Sequence, residues 1–306
     1  MNKLSTTRVL VTLGGLLLTS AAFAVALGTI VPIQEVFEPS GSFPTERYAK
    51  IAVVQWASNP MSPVLVDAPT AEAVKAKNRR DLEVWVRQAA GKGAKWVITP
   101  EMSITGYPDI PELPAEEDDW RSRDDIAGYV ESVPGPTTEH FSKLAAELGI
   151  YLHIGLATVD SVTNHYHNTV VVLNPKGEIV TTYHKQNLYS GEDKFLAPGT
   201  ENAVYDSPIG RIGLIICADV YADGPLKRYR DSQTDILALS TSWAHMNTGM
   251  DQFKSAAREY KMWLFAANQP YFPDSGVIEP SGETQSHIRQ TRIGIAYGYV
   301  PFKDKR

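Results

Sequence analysis

The sequence contains a single cysteine, Cys217, among 306 residues. A lone thiol cannot close an intramolecular disulfide, so an intrachain bridge is excluded as a source of stability. Lysine and arginine never cluster, and acids outnumber bases by 35 to 29, for a net charge of −6. A nucleic-acid partner needs a basic footprint, and none is present. A G-x-S-x-G elbow and a P-loop are also missing, which removes the serine-hydrolase and nucleotide-phosphate readings those motifs carry. Neither repeats nor a disorder-prone composition occurs.

What is present begins with an unusual N-terminus. Lys3 and Arg8 are followed by 23 uncharged residues, Val9 to Val31, with Ala22-Phe23-Ala24 as a small-x-small step. A basic segment, an apolar segment and a small-residue cut form a secretory signal, with cleavage near Ala24. The alternative is an uncleaved anchor, because 23 residues suffice to cross a bilayer. Either reading of residues 1–31 exports the remainder, as a periplasmic, secreted or anchored protein. That segment would be its one membrane contact. Residues 32–47, PIQEVFEPSGSFPTER, have the composition of a linker.

Export sharpens the question posed by Cys217. It is an inert buried residue, half of an intermolecular bridge, or a reactive thiol. The residue alone does not choose among the three.

From Lys50 onward, short apolar runs alternate with helical stretches. IAVVQW (51–56) and KWVIT (95–99) are strand candidates. Between them, Leu82, Trp85, Val86 and Ala89 recur at the spacing of one helix face over 71–90. Residues 109–125 are acidic and irregular and suggest a surface loop. A helix is expected at 137–148, then strands at 150–158, 168–174 and 178–185, with a tight turn at Pro175-Lys176-Gly177. GRIGLIIC (210–217) forms a strand with the cysteine as its last residue. DILAL (235–239), a helix near 250–261 and WLFAAN (263–268) continue the pattern, which predicts one α/β domain over residues 48–306.

Three of these strands end in a chemically useful residue: Glu101, Lys185 and Cys217. Strand ends carry function because the sheet fixes the backbone while the following loop stays open. A carboxylate, an ammonium and a thiol supply what acyl transfer needs. The thiol attacks a carbonyl carbon, Glu101 takes its proton, and Lys185 with the backbone N–H of Ala218 receives the oxyanion. A loop carboxylate and a solvated lysine are the bland readings of Glu101 and Lys185, and both stay open at this point.

At these residues the sequence resembles the nitrilase superfamily of carbon–nitrogen hydrolases. TPEMSITGY (99–107) resembles its glutamate motif, YHKQNLYSGEDKFLAPG (183–199) its lysine motif, and GLIICAD (213–219) its cysteine motif. The order and spacing agree, with Lys185 84 residues after Glu101 and Cys217 32 after Lys185. The similarity is greatest to the vanin and biotinidase branch of secreted amidases, including TDILALSTSWAHM (234–246). Departures are the absence of that branch's extra C-terminal domain and of its additional cysteines. The resemblance implies a four-layer α-β-β-α sandwich as a single catalytic domain. It implies a Glu101–Lys185–Cys217 triad, with Glu192 as a second glutamate orienting the lysine and water. It further implies a homodimer acting on a small-molecule amide without a metal or other cofactor. In this light the unpaired thiol is the nucleophile.

Tyr189 and Trp243 are candidates for the wall of a substrate pocket. His165-Tyr166-His167 lacks an acid or thiol at metal-ligand spacing and reads as a solvated loop. Two alternatives to an exported amidase remain: nitrile or carbamoyl hydrolysis on the same triad, and a non-catalytic binding protein of the same fold.

Overall fold

The computed structural model describes residues 36–58, 66–107, 122–189, 191–243, 248–270 and 273–303. The expected signal or anchor segment, and most of the acidic loop at 109–125, lie outside the described residues. Among the described residues, no helix is long and apolar enough to cross a membrane.

Thirteen strands are described, in chain order β1 (Val36–Phe37), β2 (Tyr48–Gln55), β3 (Trp96–Ile98), β4 (Tyr151–Val159), β5 (Tyr166–Leu173), β6 (Ile179–His184), β7 (Val204–Ser207), β8 (Gly210–Ile216), β9 (Ile236–Thr241), β10 (Trp263–Asn268), β11 (Ser275–Ile278), β12 (Thr284–Ile288) and β13 (Gly294–Pro301). They form two sheets, ordered β1-β13-β2-β3-β4-β5-β6 and β12-β11-β10-β9-β8-β7. In the first sheet β2, β3 and β4 run parallel, and in the second β8, β9 and β10 do. Helices α1 (Ala68–Gly91) and α3 (Pro136–Leu148) cover one sheet, while α4 (Asp223–Asp231) and α5 (Gly249–Tyr260) cover the other. A short α2 (Arg123–Ile126) follows the acidic segment.

Strand β2 shows why four layers form. Successive side chains of a strand point to opposite faces, and both faces of β2 are apolar. Ile51 and Val53 join the core between the sheets with Ile212, Leu214 and Ile236. Ala52 and Val54 face the other way and pack with Leu82, Trp85 and Val86 of α1 and Phe141 and Leu144 of α3. The helix face expected from the 3.6-residue period is therefore the one buried. Each such fully buried aliphatic side chain contributes roughly 1.5–3 kcal/mol. A polar link also crosses between the sheets, where His153 Nε2 lies 2.8 Å from the hydroxyl of Tyr205. Burial pushes that imidazole down to about 3, so it stays neutral.

Local signals set the boundaries. Asp67 caps α1 by accepting from the N–H of Thr70 at 2.8 Å, and Gly149 ends α3 in the left-handed conformation at φ 61°. The segment read as a linker packs over its described part. β1 pairs parallel with β13, Phe43 stacks on Tyr299 at 4.2 Å, and Glu38 pairs with Lys50 at 2.8 Å.

Two expectations are corrected. The strand expected to end on Cys217 ends one residue earlier, at Ile216; the cysteine opens a 3-10 helix, Cys217–Tyr221. Its φ is +45°, a left-handed value no strand residue adopts, so the chain turns sharply at the sulfur. The second concerns the histidine pair. His165 is exposed, but His167 is buried in β5, stacks on His184 at 4.3 Å, and its Nδ1 lies 2.8 Å from the Ala197 carbonyl oxygen. Among the described residues, no group of side chains is arranged to hold a metal ion.

Candidate active site

The carboxyl ends of the central strands lie together at one end of the two stacked sheets. Ser240 of β9 donates to the Thr99 carbonyl just past β3 at 2.8 Å, and Gln269, just past β10, donates to the Glu101 carbonyl at 3.0 Å. These bonds lace one sheet to the other where Glu101 sits. Gly155 of β4 lies beneath the same turn. A Cβ there would clash with the Pro100 carbonyl oxygen and sit 3.1 Å from Glu101 Cα, so only glycine lets the turn settle this low.

Glu101 and Lys185 are both fully buried, at 0% exposure. Lys185 Nζ donates to Glu101 Oε1 at 2.9 Å and lies 2.8 Å from Glu192 Oε2 and 3.0 Å from Glu192 Oε1. One ammonium thus bridges two carboxylates. Neutral donors complete the cluster: Asn168 Nδ2 to Glu101 Oε1 at 2.7 Å, the Tyr107 hydroxyl to Glu192 Oε1 at 3.0 Å, and the Tyr189 N–H to Glu192 Oε2 at 2.6 Å.

Cys217 joins through Ser242, the first residue after β9. The Ser242 N–H donates to Glu101 Oε2 at 2.7 Å, and its carbonyl oxygen lies 3.9 Å from Cys217 Sγ. The turn bearing the sulfur is braced by buried Asp219. That carboxylate accepts from the Ile216 N–H at 2.9 Å, the Tyr183 hydroxyl at 2.7 Å, and the N–H groups of Gln186 and Asn187 at 3.2 and 2.7 Å. Asn187 also donates to the Ala218 carbonyl at 2.6 Å. The segment after Lys185 and the segment before Cys217 are therefore tied to one side chain.

Burial governs the electrostatics. It raises Glu101 above the ordinary carboxylate range of 4.5, against the pull of the Lys185 ammonium and the Asn168 amide. Burial alone would lower Lys185, but Glu101 and Glu192 reverse this and hold it well above its ordinary value. The Cys217 thiol is pushed up to about 12, first by burial and then by the Glu101 charge, with Lys185 opposing. At neutral pH the sulfur is protonated and needs a base to attack.

In front of the sulfur is a cavity of about 30 Å³, lined by Tyr107, Tyr189, Cys217, Ala218, Tyr221, Ser242 and Trp243. Trp243 is buried against Phe253, with ring centroids 5.1 Å apart, and Tyr221 covers its other side at 5.2 Å, itself 53% exposed. All the residues singled out from the sequence, Glu101, Lys185, Cys217, Glu192, Ala218, Tyr189 and Trp243, fall in this one region. Asn168, Tyr107, Tyr221 and the Ser242 N–H were missed. An asparagine two residues into a strand and a main-chain amide leave no sequence signal, and Tyr107 closes a motif without a chemical signal of its own.

Comparison with known proteins gives a family match and several fold matches. The carbon-nitrogen hydrolase family profile matches residues 50–304. Pantetheinase of Bos taurus is 28% identical over 253 residues, covering 73% of this chain and 49% of the relative. Omega-amidase NIT2 of Homo sapiens is 31% identical over 159 residues, covering 48% of this chain and 51% of that protein. The chain spans about half the length of the curated relatives it matches. Among solved structures, an amidase from Nesterenkonia sp. superposes with TM-score 0.67 at 19% identity, over 86% of this chain and 94% of that one. Saccharomyces cerevisiae Nit3 superposes with TM-score 0.66 at 18% identity, over 86% and 93%. These likenesses fix the fold as a nitrilase-type α/β sandwich.

Proposed function

The chain belongs to the carbon–nitrogen hydrolase family, and from that premise we propose that it is an exported amidase that cleaves a non-peptide C–N bond through a thioester on Cys217. The observation that carries this reading is the buried Glu101–Lys185–Glu192 cluster, joined to the sulfur through Ser242.

In the proposed cycle, Glu101 takes the thiol proton as the sulfur attacks the amide carbon, and the carbonyl π pair moves onto oxygen. That oxyanion is received by Lys185 and the Ala218 N–H, each such donor being worth on the order of 100- to 1000-fold in rate. Glu101 passes its proton to the leaving nitrogen, the C–N bond breaks and the thioester remains. Water then enters, gives a proton to Glu101 and attacks the thioester carbon. Collapse releases the acid, and the sulfur recovers its proton from Glu101. Glu192, bonded to Lys185 through both oxygens, orients the ammonium.

The substrate reading is a pantetheine-like or biotinamide-like amide. The lysine segment at 183–199 and the likeness to pantetheinase support it. The basic-then-apolar N-terminus supports export. Tyr189, Tyr221 and Trp243 form the wall against which the substrate packs. Assembly as a homodimer belongs to the same proposal, and light scattering that returns a monomer contradicts it.

The test is hydrolysis of a panel of pantetheine, biotinyl-lysine, simple amides and nitriles by the wild type and by Cys217→Ala. Amide turnover by the wild type and none by the variant supports the proposal. Nitrile without amide turnover moves the assignment to a nitrilase, and equal rates for both proteins overturn it.

A further inference from the structure

We propose that Asn168 is a positioning residue, which commits Oε1 of Glu101 to the lysine side of the site and leaves Oε2 as the oxygen that carries the proton during turnover. This rests on the Glu101–Lys185–Cys217 reading above and extends it to a residue outside the triad.

The two oxygens of Glu101 differ in their free lone pairs. A carboxylate offers about four acceptor sites, two on each oxygen. Both sites on Glu101 Oε1 are taken, by Lys185 Nζ at 2.9 Å and Asn168 Nδ2 at 2.7 Å. Oε2 accepts the Ser242 N–H at 2.7 Å, which leaves it one further site. Ser242 is also the residue whose carbonyl oxygen contacts the sulfur, so the oxygen with spare capacity is the one on the Cys217 side. Without Asn168, a site would open on Oε1, next to the lysine and away from the thiol, and the proton would have two places to go.

Asn168 is built for this task. It is 1% exposed, and its Nδ2 donates to Glu192 Oε1 at 3.3 Å as well as to Glu101. Turning the amide over would aim its oxygen at two carboxylates, so the network itself fixes the NH₂ inward. Its Oδ1 is then buried with no hydrogen-bond partner among the described residues. Its carbonyl accepts from the Lys185 N–H at 2.9 Å, which ties the donor to the strand end that delivers the lysine. The surrounding charge explains why the donor is neutral. With one ammonium between two carboxylates, a carboxylate here would repel both acids, whereas an amide dipole satisfies them.

The experiment compares wild type, Asn168→Ala and Asn168→Asp by the pH dependence of kcat/KM on the best amide of the panel. Iodoacetamide labelling of the single cysteine counts competent sites. The Ala variant is expected to lose about 10- to 100-fold in kcat with little change in KM, as for a hydrogen bond to a charged group. Its acid limb is expected to move up by roughly one pH unit, because a donor to ionised Glu101 has gone. The Asp variant, although isosteric, is expected to shift the limb further and to be the less active at pH 7. A purely structural role predicts the opposite order, with isosteric Asp the milder change and the limb unmoved. An unmoved limb in both variants overturns the inference, as does loss of labelled sites alone. If the wild type hydrolyses no amide, or Cys217→Ala matches it, the proposed function fails instead, so the two failures are distinguishable.

Discussion

Lys185 and Glu101 are 84 residues apart in sequence and 2.9 Å apart in space, Nζ to Oε1, and neither side chain is exposed to solvent. A buried ion pair of this kind is weak evidence for stability, because desolvation costs about as much as the attraction returns. In the proposed cycle its value lies in holding the base and an oxyanion donor at fixed positions.

The acid limb of kcat/KM should lie above the ordinary carboxylate value of 4.5, because burial raises Glu101 and the base must be ionised to act. Above that limb the profile should stay flat to about pH 10, since the thiol is pushed up to about 12 and Lys185 is raised as well. A limb near 9, the ordinary thiol value, would mean that free thiolate and not base-assisted thiol is the attacking species.

Lys185→Met removes the cation bonded to two buried carboxylates. The expected loss in denaturant unfolding is about 3–5 kcal/mol at pH 8, the usual effect of leaving a buried charge unpaired. The sign with pH follows from the acids left behind. Without the ammonium, Glu101, which burial already raises, is held further above its unfolded value, so the deficit grows as pH rises through its folded value and shrinks when it protonates. A deficit equal at pH 5 and pH 8, or larger at pH 5, contradicts this.

Gly155→Ala places a methyl against the Pro100 carbonyl and within 3.1 Å of Glu101 Cα. Overpacking of this kind costs about 1–3 kcal/mol, and the cheapest relief is to lift the turn that carries the base. We expect kcat to fall at least about tenfold, the scale on which a misplaced reacting group lowers rate. An alanine variant with wild-type kcat would show that the Glu101 turn is not seated on β4 as described.

Asp219→Asn keeps the shape of the brace but exchanges one acceptor oxygen for a donor. Four donors converge on Asp219, and at least one of them would then face an NH₂ group. Loss of a hydrogen bond to a charged group predicts a thermal-stability deficit of about 1.5–3 kcal/mol together with reduced kcat. Unchanged melting and unchanged turnover would remove Asp219 from the account.

Much of this was legible in the sequence, for identifiable reasons. The α1 face and both faces of β2 follow from apolar periodicity, which burial enforces at every position. Glu101, Lys185 and Cys217 were visible because each terminates an apolar run. What stayed hidden depends on tertiary geometry. The φ of +45° at Cys217 reflects the turn that Asp219 braces, while the run GRIGLIIC reads as uninterrupted strand. Asn168 is the third residue of β5 and looks like any other polar strand residue, and its tie to both carboxylates exists only once β5 lies between β4 and β6. The Ser242 link is made by the backbone, which no side-chain pattern reveals.

The central claim is that Cys217 carries the acyl group. Because the chain has no second cysteine, a covalent adduct can be assigned to this sulfur without ambiguity. Acid-quenched wild type taken during turnover of its best amide should show an intact-mass increase equal to the acyl group, mapped to the peptide holding Cys217. The increase should be absent, and turnover lost, in Cys217→Ala. Turnover by Cys217→Ala at the wild-type rate, or an adduct on another residue, would contradict the account.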